Sequence, residues 1–374
     1  MERIGIVGYH QVRPELDLQM SPYECIFTAV RGALDGSGLK RKDITTVISA
    51  TNDYYDGKTI SNCFKVSAGG AYMKDESKVE MDGAHAAQYA LFRILSQNHK
   101  LAMVYGFSMP SCMPFETTRI LELDPTFDRP ISLLNGYVSC GMQMRAYMKK
   151  YGVSEEQIAE ATATNWKNAA KNPLALQEAQ KADMTAAEVL KSDYLASPLR
   201  ELMYPLLGDG CTALILAPEK QALKIIDNPV WITGVGNCQE TYYIGERDLS
   251  TSLSMEKASE AAYKMAGVKP SDIDVAELYG TTACEDMILA ESAGLAEKGK
   301  GESLFAKGCL NPSGGAIAGM TPCATGLNRI IEAVKQLQGK AEGHQVSGAK
   351  KAIASGQIGL CAQNNIIYVL EGGK

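Results

Sequence analysis

Short β-branched runs alternate with amphipathic stretches along almost the whole chain. Strand-like runs fall at 4–7, 46–48, 101–105, 213–216, 225–226 and 366–370. Between them, apolar positions recur with helical spacing at 23–34, 86–95, 255–265 and 327–337. Alternation of this kind predicts a layered α/β architecture.

The pattern repeats. Gly38-Leu39-Lys40-Arg41-Lys42-Asp43-Ile44 follows one predicted helix and precedes a strand, and Gly267-Val268-Lys269-Pro270-Ser271-Asp272-Ile273 does the same in the later part of the chain. In each copy a glycine ends the helix, an aspartate can brace the turn, and an apolar residue opens the next element. Two copies in matching contexts predict a duplicated domain with a seam near 218–228. The segment 108–207 breaks the alternation. It is richer in Met, Pro and Asn, carries helical patterns at 141–150 and 155–167, and reads as a long excursion from the first half. The expected division is therefore a first half of 1–107 with 208–222, a loop domain of 108–207, and a second half of 223–374.

Composition narrows the function classes. A formal net charge of -6 argues against a nucleic-acid partner, which needs a basic surface. No apolar run reaches the roughly 20 residues of a membrane span. The opening MERIGIVGYH reads as a strand and not as a signal peptide. Ten cysteines at scattered spacings, with no Cys-x-x-Cys and only four histidines, predict free thiols in a reducing cytoplasm and no structural metal site.

Several motifs then carry a resemblance. Asn311-Pro312-Ser313-Gly314-Gly315, closed by Ala324-Thr325-Gly326, resembles the Asn-Pro-Ser-Gly-Gly loop of the thiolase superfamily, in particular its lipid-transfer-protein/archaeal branch. Residues 329–339 and 345–349 resemble the helix and connection that follow that loop. Residues 147–158 and 165–173 resemble the loop-domain helices, and Gly208-Asp209-Gly210 stands where the family has Ser-Asp-Gly. The chain is similar to the large subunits of two-component thiolases, such as that for benzoylsuccinyl-CoA, and to thiolase-fold steroid side-chain aldolases.

This resemblance implies two duplicated βαβαβαββ halves in a five-layer αβαβα thiolase fold with a helical loop domain, working as a homodimer. It implies coenzyme A as substrate, with no permanently bound cofactor, and places Asn311, Ser313, Gly314 and Gly315 in coenzyme A binding. It also implies a small, separately encoded zinc-ribbon/OB-fold partner.

Four catalytic loops are expected, and each departs from the family pattern. The first reads Met81-Asp82-Gly83-Ala84-His85-Ala86-Ala87. Family members place a cysteine at this helix N-terminus, where unpaired N–H groups stabilise a thiolate. Registering the helix sets Ala84 at the nucleophile position, with His85 beside it. Three accounts fit: the natural protein lacks the thiol, as some thiolase-fold aldolases do; a Cys-to-Ala change was introduced; or Cys323 or Cys361 serves instead. The second loop, Glu277-Leu278-Tyr279-Gly280, carries Tyr279 where the branch has a histidine. A phenol can donate to an oxyanion, or act as a base if its pKa is lowered. The third loop, 318–326, is one residue short, so the usual histidine maps onto Met320 or Thr321, with Cys323 close by. In the fourth, 359–365, Cys361 matches the family's acid/base cysteine, or Gln363-Asn364 matches its His-Asn.

The function implied is that of a degradative thiolase-type acyltransferase, which cleaves or forms a carbon–carbon bond in a bulky 3-oxoacyl-CoA with coenzyme A as acyl acceptor. A retro-aldol lyase acting on a 3-hydroxyacyl-CoA and a non-catalytic coenzyme A-binding subunit are the alternatives.

Overall fold

The computed structural model describes residues 2–56, 60–131 and 134–373. Nine strands form one sheet: β1 (Ile4–Gln11), β2 (Thr46–Ala50), β3 (Asp75–Val79), β4 (Ala102–Ser108), β5 (Gly210–Pro218), β6 (Val230–Gln239), β7 (Val275–Glu277), β8 (Lys351–Ile358) and β9 (Asn364–Gly372). Their order is β3-β2-β4-β5-β1-β6-β9-β8-β7. Read outward from the β1–β6 seam, the two sides match. β5 and β9 lie antiparallel to β1 and β6, β4 and β8 lie antiparallel to those, and β2 and β7 run parallel to β4 and β8. The parallel edge strand β3 of the first half shrinks in the second half to a single bridge, Ala276 to Leu310. The seam is narrow, with three residue pairs centred on Gly5 and Trp231.

The repeated turn is realised in both halves. Helices α1 (Pro22–Ser37) and α5 (Leu253–Ala266) each end at a left-handed glycine, Gly38 and Gly267, both with φ of 68°. In the turns that follow, Asp43 accepts the Lys40 N–H and Asp272 accepts the Lys269 N–H, each at 2.8 Å. One strand expectation is corrected. Ile225 and Ile226 are not a strand, because residues 219–225 form a short helix and the Ile226 N–H bonds the Ala222 carbonyl at 3.0 Å. The next strand begins only after Pro229.

Four further helices matter for the site: α2 (Gly83–Leu95), α3 (Gly136–Tyr151), α4 (Glu155–Ala169) and α6 (Ala283–Ser292), followed by the central α7 (Thr325–Gln338). α2 and α7 share one apolar core with Ile48, Val104 and Leu214 of the first half and Ala354, Ile366 and Tyr368 of the second. α1 closes the outer face of the first half, while α5, α6, α3 and α4 close that of the second. The result is five layers, with α2 and α7 in the middle.

Being buried on all sides, α7 must satisfy its polar side chains internally. Arg329 pairs with Glu277 at 2.9 Å, Asn328 accepts from Thr212, and Glu332 meets His344 and Lys335, each at 2.8 Å. Burial pushes the Glu332 carboxyl up, but the His344 hydrogen bond and the Lys335 charge more than offset it and hold the pKa at about 2. The folded value lies below the ordinary 4.5, so this stabilisation is present above pH 4.5 and is lost as pH falls towards 2. Glu332→Gln should therefore cost on the order of 3 kcal/mol at pH 7. Urea unfolding should show the gap between variant and parent narrowing by pH 3. A gap independent of pH would contradict this account.

Candidate active site

The site begins with one aspartate. Asp82 follows β3 in an extended conformation and caps α2, with its Oδ1 accepting the Ala84 N–H at 2.9 Å. Its Oδ2 accepts the Gly326 N–H from the first turn of α7 at 3.0 Å. One carboxylate thus receives the positive ends of both central helices. That approach requires glycines. A methyl group on Gly326 would overlap Asp82 Oδ1, and one on Gly356 of β8 would lie 2.6 Å from the same atom. Burial pushes the Asp82 carboxyl above its ordinary value, while the Ala84, Gly326 and Gly83 N–H groups pull it back in part.

Asp82 lines a chamber of about 60 Å³ with Tyr279, Cys323, Tyr55, Arg119, Glu122 and Gln357. The Tyr279 N–H is fixed by Ser355 Oγ at 2.9 Å, and its hydroxyl bonds the Thr325 side chain. Burial pushes this phenol well up, so Tyr279 keeps its proton at neutral pH and acts as a donor rather than a base. The loop that carries it is braced from α6. Glu285 accepts from the Thr281 N–H at 2.6 Å and from Gln357 at 2.9 Å, and Asp286 accepts from the Gly280 N–H at 2.9 Å. Cys323 holds a left-handed φ of 65°, and its carbonyl accepts the Gly83 N–H at 2.8 Å. Burial raises its thiol pKa far above the ordinary range. On the opposite wall, Tyr55 donates to Glu122, and Arg119 lies 3.8 Å from the same carboxylate.

A larger groove of about 580 Å³ joins the chamber at Glu122, Ile358 and Gly359. Its walls are mainly apolar: Leu123, Leu134, Val138 and Met142 on one side, Tyr242, Tyr243, Ile244 and Leu360 on the other. A volume of this size falls in the range of small-molecule sites, whereas the chamber has room for only a few atoms.

The residues singled out in the sequence are distributed unevenly. Tyr279 and Cys323 line the chamber. Ala84 is fully buried with its methyl against Gly326 and Gly356, and its carbonyl accepts the Tyr368 hydroxyl at 2.6 Å. His85 lies behind the cap, its Nε2 2.7 Å from Asn364 Oδ1, and burial lowers its pKa. Thr321 is buried and its carbonyl accepts the Thr325 hydroxyl, while its neighbours Met320 and Pro322 reach the chamber. The Cys361 thiol donates to the Ser139 carbonyl at 3.3 Å and packs with Ile244 and Leu249, outside the chamber. Burial pushes its pKa up to about 12.

The Asn-Pro-Ser-Gly-Gly loop is equally enclosed. Asn311 accepts the Leu278 N–H at 2.7 Å, Ser313 donates to Glu277 at 2.6 Å, and Gly314 and Gly315 pack against Ala169 and Asn311. These four residues line neither cavity. They position Glu277, and through it the Tyr279 loop. Asp82, Glu122, Arg119 and Gln357 were not singled out in the sequence. Asp82 alone had a local signal there, as an aspartate followed by glycine and an apolar helix, which marks an N-cap.

The pattern described as thiolase C-terminal domain-like matches residues 236–371. An acetyl-CoA acetyltransferase of Methanothermobacter thermautotrophicus is 34% identical over 219 residues, covering 56% of each chain. The benzoylsuccinyl-CoA thiolase subunit BbsB of Thauera aromatica is 26% identical over 263 residues, covering 67% of this chain and 64% of that one. The chain thus aligns with little more than half the length of the first relative. Among solved structures, the Ltp2-ChsH2(DUF35) aldolase superposes with a TM-score of 0.83 at 21% identity, covering 99% of this chain and 97% of that one. Residues 236–371 match a thiolase C-terminal domain, and the whole chain has the thiolase fold.

Within a thiolase framework, the geometry makes a sharp claim about register. Position 82, not 84, opens onto the chamber. In a Cys323→Ala background, Asp82→Cys should be alkylated by iodoacetamide at least tenfold faster than Ala84→Cys, as mapped by peptide mass spectrometry. Faster labelling at position 84 would place the helix start two residues later.

Proposed function

We propose that this protein is an enzyme of acyl-CoA metabolism that breaks or forms a carbon–carbon bond by aldol chemistry on a 3-hydroxyacyl-CoA, without a covalent acyl-enzyme. The observation that carries this reading is the Asp82 carboxylate, held between two helix N-termini and sharing the chamber with the protonated Tyr279. In the cleavage direction, Asp82 takes the proton of the 3-hydroxyl group. The C2–C3 bond breaks, C3 becomes a carbonyl carbon, and the electron pair passes to C2 and the thioester oxygen as an enolate. The Tyr279 hydroxyl hydrogen-bonds that oxygen. Return of the proton to C2 gives a shortened acyl-CoA and a free aldehyde or ketone. The volume and apolar walls of the groove support a bulky substrate.

The thiolytic reading, with 3-oxoacyl-CoA and free coenzyme A, is favoured by one observation, the presence of the Cys323 thiol in the chamber. Against it stands the burial which, with the nearby Asp56 and Asp82 charges, keeps this thiol protonated even though it sits beside the starts of α2 and α7. The two-part name of the aldolase neighbour supports a small partner subunit for this chain as well. A homodimeric core and a cytoplasmic location complete the proposal. The ten cysteines are all free, and among the described residues no helix is long and apolar enough to cross a membrane.

The test compares two assays on one preparation. Bulky 3-hydroxyacyl-CoA esters should release a carbonyl product with no free coenzyme A added, whereas 3-oxoacyl-CoA esters should require coenzyme A and react poorly. Asp82→Asn should lose about 10²–10⁴-fold in kcat, Tyr279→Phe about 10²–10³-fold, and Cys323→Ser little. Because the Asp82 carboxyl titrates above its ordinary value, activity should rise with pH along an acid limb set by its deprotonation. Full activity in Tyr279→Phe, or inactivity of Cys323→Ser, would reject the reading.

A further inference from the structure

The walls of the groove come from distant segments: one from residues 122–128 and 134–142, the other from 242–245 and 358–363. The second wall is well anchored. Glu240 N–H bonds the Gln363 carbonyl at 2.9 Å, and the Arg247 guanidinium donates to the Leu360 and Cys361 carbonyls at 2.7 and 2.6 Å. The facing wall opens with a turn braced mainly by itself. Asp124 Oδ1 accepts the Thr126 and Phe127 N–H groups at 2.8 and 2.7 Å, and Arg129 reaches back to the Leu123 carbonyl at 2.9 Å. Deeper in, the Cys361 thiol meets the Ser139 carbonyl; at the 121–129 turn itself one hydroxyl ties the two walls together. Tyr242 accepts the Asp124 N–H and donates to Asp128 Oδ2 at 3.0 Å, with its ring set edge-on to Tyr243 at 5.2 Å. The turn it holds carries Glu122 and Leu123, and Glu122 stands where groove and chamber meet.

We propose that Tyr242 is the positioning residue that sets which acyl groups the groove admits, by latching the 121–129 turn against the anchored wall. It does not line the chamber and takes no part in bond breaking. Its hydroxyl fixes the width of the groove and holds Glu122 at the junction. The inference rests on the groove receiving the acyl part of a coenzyme A ester.

The test therefore includes an arm independent of turnover. Affinities of the protein for saturated acyl-CoA esters of straight, branched and ring-bearing type, which lack the reacting hydroxyl, are measured by calorimetry. Kinetics are measured on the matching 3-hydroxyacyl-CoA esters. Tyr242→Phe should raise Kd and KM for the preferred ester about tenfold, keep kcat within about threefold, and flatten the preference among esters. Asp128→Ala should reproduce this, and Asp128→Asn, which keeps a side-chain acceptor, should restore the preference. Hydrogen exchange across 121–131 should rise in Tyr242→Phe and fall back in Asp128→Asn relative to Asp128→Ala. An unchanged ranking of esters in Tyr242→Phe, or a lowered melting temperature with ranking intact, would overturn the inference. If no hydroxyacyl ester turns over but the affinity ranking shifts as described, the proposed reaction fails and the latch stands. If no acyl-CoA ester binds, both fail.

Discussion

The Asp82 carboxylate is the point on which the two halves converge. It caps α2 from the first half and accepts an N–H from the first turn of α7 in the second, so the same two oxygens close the central layer and open onto the chamber. An ionised carboxylate buried this deeply is costly unless its lone pairs are taken up by donors. The two helix N-termini supply them without a cationic side chain. The glycines at 326 and 356 follow from the same requirement, since any side chain there would displace either the carboxylate or the helix. Chemistry and architecture therefore constrain the same few atoms.

The duplication explains why a chamber forms at this point. Each half places a loop at the same end of its sheet, and the mirrored strand order brings these loops together around α2 and α7. The buried Glu277–Arg329 pair, held by Ser313, then fixes the level of the Tyr279 loop. The segment 108–207 adds the remaining wall. It contributes Arg119 and Glu122 to the chamber and one wall of the groove, which faces the wall formed by residues 242–245 and 358–363.

Much of the fold was legible in the chain. The repeated Gly38 and Gly267 turns marked the duplication because a left-handed C-cap and an aspartate-braced turn leave a local signature. The central helices were visible in their apolar spacing. The pair Ile225-Ile226 misled because β-branched residues also occupy helix ends, where local hydrogen bonds decide. The site was less legible. Aligning α2 by its apolar residues led to Ala84, whereas the capping side chain that starts the helix is Asp82, and only the cap faces the chamber. The glycine-rich loop at 311–315 was conspicuous because it is structurally demanding, but its polar groups face inward. Cys361 drew attention by its position near a family motif, yet a left-handed φ of 53° and the Ser139 carbonyl turn it towards α3. Glu122 and Arg119 carried no local pattern, because what places them in the chamber is the packing of distant segments.

The central claim is that catalysis runs through a carboxylate and a phenol, with no bond between enzyme and acyl group. Intact-protein mass spectrometry on enzyme acid-quenched during turnover of a bulky 3-hydroxyacyl-CoA tests this most directly. The account predicts an unmodified protein mass while carbonyl product accumulates. An acyl adduct that forms and decays at the rate of turnover, mapped to Cys323, would contradict it.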